Sequence, residues 1–225
     1  MQDLQPEYFF NLLSYEHKAL FAGKNHLWEV LSYLKPYLAS LPLGKVEAKI
    51  SDGAYIIDRH LISIGKGSVV EPGAYIKGPC YIGNDCTIRH GAYIRGDVLI
   101  GNGCVVGHDT EVKHSIFLNE VHAAHFAYLG DTILGNRVNL GAGTICANLK
   151  FNRAKVAVGG IDTGLSKFGA IIGDDSQTGC NSVTNPGTCV GQSVWIYPCT
   201  NVGGFIPSHS TVKNKVQLEI VSSLS

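Results

Sequence analysis

The chain has 225 residues, with 18 Lys and Arg against 18 Asp and Glu and no run of either sign. That balance excludes a nucleic-acid footprint and a polybasic membrane anchor, and the apolar runs are far too short to span a membrane. Glycine, at 27 residues, points instead to a fold with many tight turns.

The N-terminus, MQDLQPEYFF, carries acids before its apolar residues, so no signal peptide is expected. Seven cysteines without a C-x-x-C pair read as reduced thiols of a cytoplasmic protein. Residues 1–45 predict a small helical cap. A short helix follows Pro6, and a second, capped by Asn25, sets Leu27, Val30, Leu31, Leu34 and Leu38 on one face, with Pro36 expected to end or kink it. Repeat folds need covered ends, which assigns this segment to one end of the main domain.

From Ile64 the pattern changes to a period of six. Ile64, Val70, Ile76, Ile82, Ile88, Ile94, Ile100, Val106, Val112 and Leu118 stand in register, ten aliphatic residues without exception. A small or thiol-bearing residue follows four positions on, as at Ser68, Ala74, Cys80, Cys86, Ala92 and Cys104. This is the hexapeptide repeat of a parallel β-helix, in which three short strands make an 18-residue coil and residues 18 apart stack at roughly 4.8 Å. The predicted fold is mainly β, a left-handed parallel β-helix over 46–207. Its inward cysteines read as compact core filler.

The register returns at Leu134, Leu140 and Cys146, then at Ile172, Thr178, Thr184, Val190, Ile196 and Val202. Leu118 to Leu134 is two residues short of a coil, so a turn there is deformed. Residues 149–169 fall outside the repeat, and KVAVGGIDTG within them predicts a projecting hairpin turning at Gly159 and Gly160. The tail, 208–225, alternates weakly and predicts a last strand.

Arg95 and Lys113 are 18 residues apart and so stack on one face. Two adjacent cations without a neighbouring acid are costly unless an anion joins them, and a sugar phosphate would serve.

The run EVKHSIFLNEVHAAHFAYLGDTILGNRVNLGAGTICAN, with IRGD around Arg95, closely resembles the acetyltransferase domain of the bifunctional enzyme that makes UDP-N-acetylglucosamine. Residues about 64–205 carry the resemblance. Lys113 lies twelve residues before His125, and Asn148 twenty-three after it. The resemblance implies an acetyl-CoA-dependent N-acetyltransferase of an amino-sugar 1-phosphate, foremost glucosamine-1-phosphate, with direct transfer and no metal. His125 corresponds to the family's general base, and an imidazole titrating near neutrality suits that task. Arg95, Lys113, Tyr128, Asn139 and Asn148 correspond to its substrate-binding residues. Backbone contacts to acetyl-CoA carry over to Ala142, Cys180 and Pro198. His122 has no family role.

Three departures stand out. Leu149 replaces a tyrosine, Lys155 and Lys167 both compete for the place of a second lysine, and the glycine-rich nucleotide-binding segment of the uridyltransferase half is missing. The last makes a separate uridyltransferase a candidate partner. A homotrimer is expected, because a narrow prism offers no cleft deep enough for CoA.

Two other classes share the repeat. A γ-type carbonic anhydrase needs a histidine pair five positions apart, a spacing that His90, His108 and His114 do not supply. A non-catalytic binding or regulatory subunit, working with a separate nucleotidyltransferase, would have little reason to keep His125, Arg95 and Lys113 together.

Overall fold

The computed structural model describes residues 4–215 of the chain. Three parallel sheets form the faces of a prism, with nine strands on the first, from Lys49–Ile50 to Thr211–Val212. The second and third have eight each, from Tyr55–Ile57 to Asn201–Val202 and from Ile62–Ile64 to Phe205–Ile206. Each strand pairs with its counterpart one coil away, as the hexapeptide period requires. Of the tail, Thr211–Val212 forms the last strand of the first face, and residues 216–225 lie outside the described residues.

The inward ladder is aliphatic and fully buried, with Cys80, Cys86, Cys104 and Cys146 filling it. Burial in an apolar interior disfavours the thiolate, pushing Cys146 up to about 11 and Cys80 higher still, so these two thiols are inert filler.

One rung departs from the repeat. Phe117, not Leu118, pairs with Ile100 and enters the core, while Leu118 turns outward under the N-terminal segment. The turn after Lys113 is one residue shorter than its predecessor, and His114 takes φ 47 there. Phe117 then pairs with Leu134, a separation one short of a coil, because the turn at Asp131 is shortened in the same way.

The N-terminal segment does not cap an end. It lies along the third face, where Leu99, Ile116, Ile133, Ile171 and Cys189 point outward and are buried under Phe9, Phe10, Phe21, Leu27, Leu31, Leu34 and Leu38. That face is apolar on both sides, as the runs Val98–Ile100 and Ala170–Ile172 show, and an apolar outer face must be covered. Polar contacts hold the cover in register. Asp174 accepts from the Asn11 and Asn136 N–H groups at 2.8 and 2.7 Å. Tyr15 Oη donates to the Phe117 carbonyl at 3.3 Å, and His114 Nε2 meets the Leu31 carbonyl at 3.1 Å.

The main helix runs Glu29–Ser40 and continues through Pro36. Leu38, beyond the proline, is fully buried, and that packing holds the last turn despite the lost hydrogen bond. Asn25 does not cap this helix, which begins at Glu29, whose own carboxylate accepts the His26 N–H.

The insertion contains the hairpin, Ala157–Val158 against Ile161–Asp162, with Gly159 and Gly160 at φ 56 and 84. Two successive positive φ values are what a two-residue hairpin turn demands. The hairpin is laid down rather than projecting, since Val156, Val158 and Phe168 are buried in the flank cluster. The Phe168 N–H closes the neck of the insertion on the Asn148 carbonyl at 2.9 Å.

Candidate active site

Two edges of the second face carry the candidate residues. At the edge shared with the first face, His90, His108 and His125 occupy successive coils of one corner. Ala142, Cys180 and Pro198 continue the same corner, as the chain of N–H donors Gly143 to His125, Asn181 to Ala142 and Cys199 to Cys180 shows. The residues assigned to the base and to acetyl-CoA therefore form one continuous column.

The histidines of that column are not equivalent. His90 Nδ1 bonds the Pro72 carbonyl at 2.7 Å, and His108 Nδ1 the His90 carbonyl at 3.1 Å. His108 Nε2 also lies 3.3 Å from Asp109. The next carbonyl in the series, that of His108, is taken by the Phe126 N–H, so the His125 ring is left exposed with no protein hydrogen bond among the described residues. An imidazole with both nitrogens free can accept a proton from a bound nucleophile.

At the opposite edge of the second face Arg95 stacks over Lys113, through the pairing of Ile94 with Val112. The bare pair of cations expected from the spacing is not what the structure holds. Arg95 pairs with Glu111 at 2.5 Å and Lys113 with Asp131 at 3.2 Å. Asp131 is buried, and the same Oδ2 accepts from Asn148 Nδ2 at 2.5 Å. The Glu111 carboxylate raises Arg95 above its usual value, chiefly through their hydrogen bond. Asp97, two residues on, is held below the usual carboxylate range first by its hydrogen bond from His114, against the opposing effect of burial.

Gly130 leaves room for two of these side-chain ends. A Cβ at this position would lie 2.5 Å from Asn148 Nδ2 and 2.8 Å from Tyr128 Oη, so a side chain would push both away. Tyr128, Asn148, Lys113 and Asp131 thus converge around one glycine. Asp131, Glu111 and Gly130 carried no assigned role in the sequence reading, although the YLGD run contains two of them.

Asn139 stands apart from this group, exposed on the first face beside His122. Lys167 precedes Phe168, whose N–H bonds the Asn148 carbonyl, and so reaches the neighbourhood of the site. Lys155 instead donates to the Gly164 carbonyl at 2.7 Å within the insertion. One chain therefore assembles the Tyr128, Lys113 and Asn148 cluster, with the column of His125 separated from it by the strand Tyr128–Gly130, roughly 10 Å of extended chain.

The fold is a β-helix of hexapeptide repeats. The family described as the GMPPB C-terminal domain matches residues 76–167. A bifunctional protein GlmU of Methanococcus maripaludis strain C7 is 38% identical over 198 residues, covering 87% of this chain and 47% of that protein. Its counterpart in strain S2 is 32% identical over 208 residues, covering 91% and 50%. A solved Francisella novicida UDP-N-acetylglucosamine acyltransferase is similar at a TM-score of 0.48 and 17% identity, over 77% of this chain and 66% of that one. Over most of its own length the chain is similar to bifunctional GlmU proteins. It spans about half the length of the two Methanococcus relatives. Among the described residues no helix is long and apolar enough to cross a membrane.

Proposed function

We propose that this chain is an acetyl-CoA-dependent N-acetyltransferase of an amino-sugar 1-phosphate, with glucosamine-1-phosphate the foremost acceptor. The observation that carries the reading is the unpartnered ring of His125 in line with Ala142, Cys180 and Pro198. The sugar amine attacks the thioester carbonyl of acetyl-CoA while His125 takes the amine's proton. A tetrahedral intermediate collapses with loss of the CoA thiolate, and a proton returned to sulfur leaves amide and CoA thiol. Backbone groups at Ala142, Cys180 and Pro198 would hold the donor along the column.

Arg95 is the phosphate ligand most easily recruited. Its pair with Glu111 is half-exposed, so releasing it costs at most about 1 kcal/mol. Lys113 reaches the phosphate while fixed by Asp131, and Tyr128 and Asn148 orient the sugar. Asn139 and His125 contribute from the other side of the acceptor. Because one chain separates these two groups, the working site is formed between neighbouring copies of a homotrimer, which light scattering of an active preparation tests: a monomer that still acetylates would refute it.

The decisive experiment is a thiol-release assay with acetyl-CoA against a panel of amino sugars with and without the 1-phosphate. Turnover restricted to phosphorylated acceptors is the expected result. Failure of every amino sugar to release CoA would overturn the proposal.

A further inference from the structure

The turn that follows Lys113 joins the phosphate corner to the N-terminal helix. Lys113 ends one strand and Ser115 begins the next, so a single residue, His114, makes the turn. One coil earlier the same turn takes two residues, Gly96 and Asp97. The direction in which Lys113 leaves the chain is therefore set by its immediate neighbour. His114 has φ 47, a left-handed conformation that costs a residue carrying a Cβ and persists where surrounding contacts hold it.

Those contacts are made by the ring. Its Nε2 lies 3.1 Å from the Leu31 carbonyl of the helix. A carbonyl only accepts, so Nε2 carries the hydrogen and donates it. Its Nδ1 faces Asp97 Oδ2 at 3.7 Å. The other oxygen of Asp97 is buried with no hydrogen-bond partner among the described residues. This carboxylate is held below its usual range first by the hydrogen bond from His114, against burial, and then by the charges of His114, Lys35 and Lys113. Lys35 follows Leu31 by one helical turn, so Asp97 feels a cation of the helix and a cation of the site together. All of these contacts lie within one chain, between the helix and the prism.

We infer that His114 is a positioning residue. Held between Asp97 and the Leu31 carbonyl, it fixes the turn from which Lys113 reaches Asp131 and the phosphate, and the N-terminal helix thereby sets the affinity of this corner for a phosphorylated sugar. The inference rests on the reading of Arg95 and Lys113 as phosphate ligands given above, and it does not require acetyl transfer. A displacement of a binding cation by a fraction of an ångström is enough to weaken a charge-assisted contact, which is why the support of a ligand matters as much as its identity.

Two substitutions separate the two ring nitrogens. Asparagine keeps a nitrogen near the place of Nδ1, tolerates positive φ and is too short to reach Leu31, whereas glutamine puts an amide N–H near the place of Nε2. Calorimetry on the full chain with glucosamine-1-phosphate, and with glucosamine as the control, reads the corner directly. His114→Asn should weaken binding of the 1-phosphate by roughly 2- to 10-fold, the range of one hydrogen bond, with acetyl-CoA affinity unchanged. His114→Gln should recover most of that loss. In turnover the Asn variant should show the same factor in KM for the phosphorylated acceptor, with kcat nearly unaltered. Coupling between two sites is reciprocal, so glucosamine-1-phosphate should slow amide exchange over Glu29–Ser40 in the unmodified chain and in His114→Gln, and much less in His114→Asn. A histidine that only stabilises the fold would lower the melting temperature and leave both affinity and helix protection unchanged. Equal affinities in the three proteins, or no binding of the 1-phosphate by the unmodified chain, would overturn the inference. Binding that responds to His114 without release of CoA from acetyl-CoA would uphold it and sink the acetyltransferase reading, and CoA release with equal affinities would do the reverse.

Discussion

Replacing Lys113 by alanine separates the ion-paired corner from a bare cation clamp. Spacing alone shows two like charges, and on that basis removing Lys113 relieves repulsion and leaves the empty protein at least as stable. The partner Asp131 reverses the sign. Its side chain is 9% exposed, and that of Lys113 26%. Breaking a fully buried pair costs about 3–5 kcal/mol and an exposed one at most about 1. Asp131 keeps its bond from Asn148, which places the loss between these limits, at about 1–3 kcal/mol. At roughly 2–4 °C per kcal/mol for a chain of this size, the melting temperature should fall on the order of 5 °C. Adding Asp131→Asn to Lys113→Ala removes the stranded carboxylate and should recover much of the loss, giving a coupling of about 0.5–3 kcal/mol. The preference for a phosphorylated acceptor should also fall, by about 1.5–3 kcal/mol for one charge-assisted hydrogen bond. Thermal melts of the two singles and the double, with kinetics on both acceptor forms, check each part. An additive cycle with an unchanged melting temperature would refute the pair, and unchanged preference would refute the clamp.

His125→Ala should lower kcat by roughly 10²–10⁴-fold with little change in sugar-phosphate affinity, and its exposed position predicts an unaltered melt; turnover near normal would exclude it as the base. His17 supplies a pH dependence. It is buried against Tyr37, Tyr81 and Tyr15, with Glu16 nearby, and its Nε2 has no partner. Burial lowers its pKa below 6.5, against the opposing charge of Glu16. The unfolded chain therefore binds this proton first, so the stability His17 contributes is complete above about pH 6.5 and is lost as pH falls through the lower folded value. Melting temperature should decline across that interval, and less steeply in His17→Phe; identical slopes would assign the decline to other groups.

The period of six was enough to specify the β-helix, because every sixth side chain meets the same narrow core and only an aliphatic or small residue fits it. The hairpin at Gly159 and Gly160 was equally local, a matter of two residues able to adopt positive φ. His125, Ala142, Cys180 and Pro198 were singled out in the sequence only by resemblance to a known family, and their alignment in one column follows from the stacking of coils across a shortened turn and the insertion. Other features depended on contacts that no period encodes. The slip from Leu118 to Phe117 arises at a shortened turn where His114 meets the Leu31 carbonyl of a segment 83 residues away. The flank position of the N-terminal helix follows from an outward apolar ladder whose members are a full coil apart in sequence, so only stacking makes them one surface to be covered. Ion pairing of Arg95 with Glu111 and of Lys113 with Asp131 likewise joins residues 16 and 18 positions apart. Periodicity placed each residue on the prism by itself, and three-dimensional proximity, which sets the sign of every electrostatic argument at the site, was decided by how the coils and turns pack.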